Sequence, residues 1–285
     1  MKQIDDYLAS PEIQALAQTT QDSYGYALAQ LDAFCQRRGI QDFTGFQEYM
    51  PAMANFLVST KLSGKSIQQY LTAIKIFLKR IGHPVEYSYR ISNHEIKKNK
   101  LKHMQRWLNE NDIAKCLAYE FPNETKKNRL TYRVIVRLLI ETGARVRELA
   151  NMKIENIDLE DMVAWIHDSK TVPRPVFFSP TTRDMLEKML DKYEPQENVF
   201  PDVSKIKAVI TDMLKVLGLK NGKDGRGPHT FRHWFCTKLF YAGVRLEDIA
   251  TVAGDTPETI TNCYLHPSAC MLRERISKGF GWKEF

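Results

Sequence analysis

No CxxC pair occurs in this 285-residue chain, whose five cysteines (Cys35, Cys116, Cys236, Cys263 and Cys270) are odd in number and scattered. Neither a disulfide framework nor a zinc site follows from that spacing, and the cysteines are expected to be small buried apolar residues. Also missing is a long apolar run. The greasiest stretch, near Val134 to Ile140, is interrupted by Arg137 and is far too short for a bilayer span. The first twenty residues carry Asp5, Asp6 and Glu12 and no apolar core, which argues against a secretory signal. The expectation is a soluble, cytoplasmic protein without a membrane partner. Ser63-Gly64-Lys65-Ser66 resembles the end of a phosphate-binding loop, but Ser59 stands where that loop needs glycine and no strand precedes it. Nucleotide hydrolysis is thereby excluded. Internal repeats and low-complexity tracts are absent too.

What is present is an ordinary globular mix, 43% hydrophobic and 26% charged, with a net charge of +7. The charge is unevenly spread. Residues 1–60 hold three basic side chains against seven acidic, whereas residues 61–106 hold eleven against two. Such a segment fits either a surface that neutralises phosphates through counterion release or a solvated linker face. Lys65 and the run Lys97, Lys98, Lys100 and Lys102 are the candidate phosphate contacts.

The first ~85 residues read as helices. Tyr24, Leu28, Leu31 and Phe34 share one helical face, and Gly39 supplies a stop. Further helices are expected over 53–62 and 66–81, the last dressed by Lys65, Lys75, Lys79 and Arg80. Periodicity fades from 83 to 105. The expected division is a helical domain over 1–95, a basic linker over 96–106 and a larger domain over 107–285. In the larger domain, helices are expected over 107–120, 130–141, 181–193, 205–217, 229–242 and 246–253. Two short strands over 162–167 and 174–179 would form a hairpin with Lys170 in its turn. The fold class is mainly α with one small antiparallel sheet.

Several residues suit chemistry on a phosphodiester. Arg145 follows a glycine turn at a helix start, where its fork of donors could meet phosphate oxygens. Lys170 rides on a turn. His229 and Arg232 stand three apart, on one helical face, pairing a proton-transfer imidazole with a second phosphate clamp. Tyr264 follows a Thr-Pro turn. Each alone is commonplace; an arginine after glycine is usually a surface residue, and a late tyrosine is usually core.

Their order is not commonplace. Thr142-Gly143-Ala144-Arg145-Val146-Arg147-Glu148-Leu149 resembles the first-arginine box, TG-x-R-x-x-E-L, of the tyrosine recombinases, the family of phage integrases, Xer proteins and Cre-like enzymes. Asp168-Ser169-Lys170-Thr171 is similar to that family's hairpin lysine box. His229-Thr230-Phe231-Arg232-His233 resembles its H-x-L-R-H box with Phe for Leu. Ala253-Gly254-Asp255-Thr256 through Tyr264 resembles the closing box. The resemblance spans nearly the whole chain.

The resemblance implies an N-terminal core-binding domain of SAM-like fold, and an α-rich catalytic domain whose C-terminal tail docks on a neighbouring protomer. It implies a site-specific recombinase that cleaves and rejoins DNA through a 3′-phosphotyrosyl intermediate and a Holliday junction. Tyr264 would be the nucleophile. Arg145 and Arg232 would hold the phosphate, Lys170 would protonate the leaving 5′ oxygen, and His229 would assist proton transfer. No metal or cofactor is implied, because the cations take over the charge role. The implied partners are duplex DNA with inverted half-sites and further copies of the chain: two on one site, four in synapsis. Without an arm-binding domain before the helical bundle, a transposon-borne cointegrate resolvase is one candidate role. A type IB topoisomerase activity and a non-catalytic, sequence-specific DNA-binding protein are the alternatives. Asp255 departs from the family pattern. His or Trp is usual there, donating a hydrogen bond, and an ionised carboxylate cannot donate. Asp255 is expected to point away, to leave the role to Thr256, or to reduce activity.

Overall fold

The computed structural model describes residues 2–92, 108–167, 173–190, 198–222 and 224–264, together with Arg273, Ile276 and Ser277; for Cys263 and Tyr264 it describes the main chain. The chain divides into two compact units, residues 1–99 and 100–285. Lys97, Lys98, Lys100, Lys102 and Lys170 lie outside the described residues.

Among the described residues, the elements of the first unit are all helical: α1 (Lys2–Leu8), α2 (Pro11–Gln14), α3 (Gln18–Arg38), a 3₁₀ turn at Phe46–Tyr49, α4 (Met50–Ser59) and α5 (Gly64–Arg80). Helix α3 ends where Gly39 takes the left-handed conformation, φ 66°. Helix α4 lies earlier than the periodicity predicts, because Pro51 favours its first turn. The Ser63-Gly64-Lys65-Ser66 stretch is a helix cap, with the Ser63 side chain accepting from the Ser66 N–H at 3.1 Å. Helix α5 then buries Ile67, Leu71, Ile74, Phe77 and Leu78 and leaves Lys65 exposed on its first turn. Phe34, Phe43, Phe46 and Phe77 meet in edge-on pairs at the centre of this core. Sequence periodicity does not announce α1 and α2. They form because Ile4, Tyr7 and Ile13 are buried against that core, each worth about 1.5–3 kcal/mol.

The second unit is built around α7 (Lys126–Thr142), whose Val134, Ile135, Val136, Leu138, Leu139 and Ile140 are all buried. Ahead of it comes α6 (Glu110–Leu117). Its expected opening at 107 is shifted by a capping box, in which Asn109 and Asp112 accept from each other's main-chain N–H. After α7 come α8 (Val146–Ala150) and a three-stranded antiparallel sheet in the order β1 (Ile157–Asp158), β2 (Val163–Ile166), β3 (Arg174–Phe177). The two expected strands are present. The third, β1, has only two residues and no alternation to reveal it; the Asp158 side chain makes its turn by accepting from Glu160 and Asp161 N–H. Register pairs Ile166 with Arg174 and Ala164 with Val176, so these residues face the core.

Helices α9 (Pro180–Leu190), α10 (Val203–Val216), α11 (His229–Tyr241) and α12 (Leu246–Ala253) follow, then α13 (Pro257–Thr259) and a π-helical turn at Ile260–Tyr264. A separate small core of Phe235, Cys236, Ile249, Ala250, Ala253 and Ile260 joins α11, α12 and the π turn. The fold is thus mainly helical with one small antiparallel sheet. Among the described residues no helix is long and apolar enough to cross a membrane, and no cluster of His, Cys, Asp and Glu could hold a metal ion.

Candidate active site

Helix α7 ends at Gly143, which adopts φ 61° and so turns the chain sharply. A side chain here would run into the Phe235 ring, so glycine is needed for space as well as for backbone. The turn does two jobs. Its Gly143 carbonyl accepts from Arg232 Nη1 at 2.9 Å, and it delivers Arg145 to the N-cap of α8.

Arg145 is held from both ends. Glu148, one turn along, accepts from its main-chain N–H at 2.7 Å and from Nη1 at 2.9 Å. Nη2 donates to the Gly254 carbonyl at 2.9 Å and reaches Asp255 Oδ2 at 3.0 Å. Glu148 itself is buried at 4% exposure. Burial pushes its carboxyl upward, but the Arg174 guanidinium and the Arg145 N–H groups outweigh that and hold it below the usual carboxylate range.

Arg174, at the start of β3, was not among the residues the sequence singled out. It is 3% exposed, donates to Glu148 Oε2 at 2.6 Å and to the Val252 carbonyl at 3.0 Å, and lies under Gly254. A β-carbon at Gly254 would sit 2.5 Å from its Nη1. One buried guanidinium thereby ties the first-arginine box to the closing box. The signal was available: Arg174, Val176 and Phe178 alternate, so an arginine occupies a core-facing register position.

Arg232 lies in the first turn of α11 with 1% of its side chain exposed, and its Nη2 donates to Asp255 Oδ2 at 2.5 Å. His229 opens the same helix on the exposed side, and its ring meets that of buried His233 edge-on at 5.4 Å. Arg145 and Arg232, from separate boxes, therefore converge on one oxygen atom. That oxygen belongs to Asp255, which points inward; of the three alternatives the sequence left open, the one in which it points away is overturned. Its main-chain N–H donates to the Ala250 carbonyl past the left-handed Gly254, and this turn aims the side chain at the arginines. Thr256 is occupied in capping α13, accepting from the Thr259 N–H at 3.1 Å. The main chain of Tyr264 closes the π turn, which packs against α11.

Cys35, Cys116 and Cys236 are buried free thiols, as expected of small apolar residues. Burial pushes Cys35 up to about 11 and Cys116 and Cys236 up to about 12.

The profile of the phage integrase family matches residues 106–270, more than half of the chain. The chain belongs to the phage integrase, or tyrosine recombinase, family. Membership places it among proteins of DNA recombination and DNA binding. Sequence relatives include tyrosine recombinase XerA of Saccharolobus solfataricus, 29% identical over 202 residues, covering 70% of this chain and 63% of that protein. Tyrosine recombinase XerC of Staphylococcus epidermidis is 22% identical over 280 residues, covering 90% and 88%. Against two other XerC proteins the chain spans only about half of their length, 51% and 54%. Among solved structures, XerH site-specific recombinase bound to palindromic difH substrate has a TM-score of 0.70 at 18% identity, covering 97% of this chain and 84% of that one. The Tn1549 transposon integrase in complex with transposon right end DNA has a TM-score of 0.66 at 14% identity, covering 97% and 98%. In fold this tyrosine recombinase family member is similar to both.

Proposed function

We propose that this chain is a site-specific DNA recombinase that works in the cytoplasm through a covalent phosphotyrosine. The observation that carries the reading is the convergence of Arg145 and Arg232 on a single anionic oxygen, at 3.0 and 2.5 Å. Two guanidinium groups aimed at one point suit the non-bridging oxygens of a phosphate and the charge that builds on them. Tyr264 attacks phosphorus in line. The bond to the 5′ oxygen breaks, the phosphate stays on the tyrosine as a 3′ ester, and the 5′ hydroxyl leaves. Lys170 gives that oxygen its proton, and His229 assists removal of the phenol proton. Attack by a 5′ hydroxyl from another duplex reverses the chemistry and builds the Holliday junction.

In this reading residues 1–95 and 107–285 are the core-binding and catalytic domains, joined by a basic linker at 96–106 that contacts phosphate. The site is duplex DNA with inverted half-sites, bound by two copies, with four in synapsis. XerH, similar in fold, was solved on a palindromic substrate, which supports that symmetry. An apolar groove of about 540 Å³ runs past Ile113, Leu117, Phe178, Trp234 and Leu239. It is suited to receive the tail of a neighbouring copy, which carries Leu272, Ile276, Phe280 and Trp282.

A nicked suicide duplex, built on the site this chain selects from random DNA, tests the reading. Wild type is expected to form a covalent adduct without added metal, and Tyr264→Phe none. Tight binding with no adduct from wild type sinks it, in favour of a non-catalytic binding protein. Asp255 is the observation that favours that second reading, because a carboxylate already neutralises both arginines.

A further inference from the structure

Asp255 stands where the family usually has a hydrogen-bond donor, yet here it accepts from the two arginines assigned to the phosphate. Its Oδ2 lies 3.0 Å from Arg145 Nη2 and 2.5 Å from Arg232 Nη2. We propose that Asp255 is an internal anion that holds Arg145 and Arg232 in the DNA-free protein and surrenders them to the scissile phosphate. The inference rests on the reading of those arginines as the phosphate clamp.

Electrostatics explains why such a residue would be kept. Arg232 is 1% exposed, Arg174 is 3% exposed, and Arg145 shares Glu148 with Arg174 and Asp255 with Arg232. Three guanidinium groups face one small volume. Glu148 is fully engaged by Arg145 and Arg174, and the nearby Cys236 thiol is held neutral by burial. Among the described residues, Asp255 is the carboxylate seen to pair with Arg232. It keeps that buried guanidinium hydrogen-bonded and both forks aimed at one point before any DNA arrives. The same contact opposes the phosphate, because two anions cannot share those donors without strong repulsion. The Asp255 side chain is 18% exposed, so solvent is at hand when it is displaced.

The test uses the full chain, inorganic sulfate as the probe and constant ionic strength set with chloride. Sulfate affinity is read from the shift of the thermal midpoint for wild type, Asp255→Asn and Asp255→Asn/Arg145→Ala. Adduct formation on the nicked duplex is timed in parallel. Asp255→Asn is expected to bind sulfate tighter by roughly tenfold or more, the factor that one hydrogen bond to a charged group carries. The gain is expected to vanish when Arg145 is also removed, and Asp255→Asn is expected to form adduct faster than wild type. Sulfate binding equal to wild type, or a gain that survives loss of Arg145, overturns the proposal. Tighter sulfate binding with no adduct from either protein leaves Asp255 as the internal anion and removes the cleavage reading instead. Asp255→His supplies the same comparison should the amide variant not fold.

Discussion

Arg145, Glu148 and Arg174 form a chain of alternating charge in which Glu148 is the shared acceptor, 4% exposed and bonded to both arginines. At the residue scale this makes Glu148 more than a helix cap. Glu148→Gln removes the charge but keeps the shape, leaving the 3%-exposed Arg174 without its counterion. A loss of about 3 kcal/mol is expected from breaking a buried pair in this way, measured by urea unfolding near pH 7. The pH dependence has a definite sign. The Glu148 carboxyl is held below its usual value in the folded state, burial opposing and the arginines prevailing. Its contribution is therefore complete above the unfolded value of about 4.3 and is lost as pH falls through the lower folded one. The gap between wild type and Glu148→Gln should close on acidification below about pH 4. A gap constant from pH 7 to pH 3 would show that packing, not charge, is what the substitution disturbs.

At the scale of elements, the site depends on two left-handed glycines, Gly143 ending α7 and Gly254 ending α12. Each presents a carbonyl to a guanidinium: Gly143 to Arg232 and Gly254 to Arg145. Helix ends are suited to this, since their last carbonyls have no partner within the helix. Gly143→Ala combines left-handed strain of about 1–2 kcal/mol with displacement of a packed ring, another 1–3 kcal/mol or so. Gly39→Ala is the control, with φ 66° but nothing within 4 Å of the added carbon. Unfolding midpoints should fall much further for Gly143→Ala than for Gly39→Ala, and adduct formation should suffer only in the former. Equal losses would mean that the Phe235 ring plays no part.

At the scale of the whole molecule, the excess of positive charge in residues 61–106 is the feature to test, because the proposed binding to duplex DNA would draw on it. Replacing Lys97, Lys98, Lys100 and Lys102 with Gln should flatten the plot of log affinity against log salt by about 3–4, near 0.9 for each phosphate that is no longer neutralised. Fluorescence anisotropy across a KCl series measures this directly. An unchanged slope would assign the run to a solvated linker face.

The order of the boxes was legible in the chain because each is local: a glycine before Arg145, a three-residue step from His229 to Arg232, a closing turn before Tyr264. The helical character of both units was legible for the same reason, since a 3.6-residue period is a short-range property. Helices α1 and α2 and strand β1 were not, because they are too short to carry a period and are held by burial and turn contacts instead. Asp255 marks the boundary most clearly. The sequence by itself determined that a carboxylate replaces a donor at this position. Only the tertiary structure decided where it points, because Arg145 and Arg232 meet it from distant parts of the chain. The same holds for Arg174, whose value lies in joining Glu148 to the Val252 carbonyl across three elements. A charge's role depends on what surrounds it in space, and spacing along the chain reports that only where the neighbours are also neighbours in sequence.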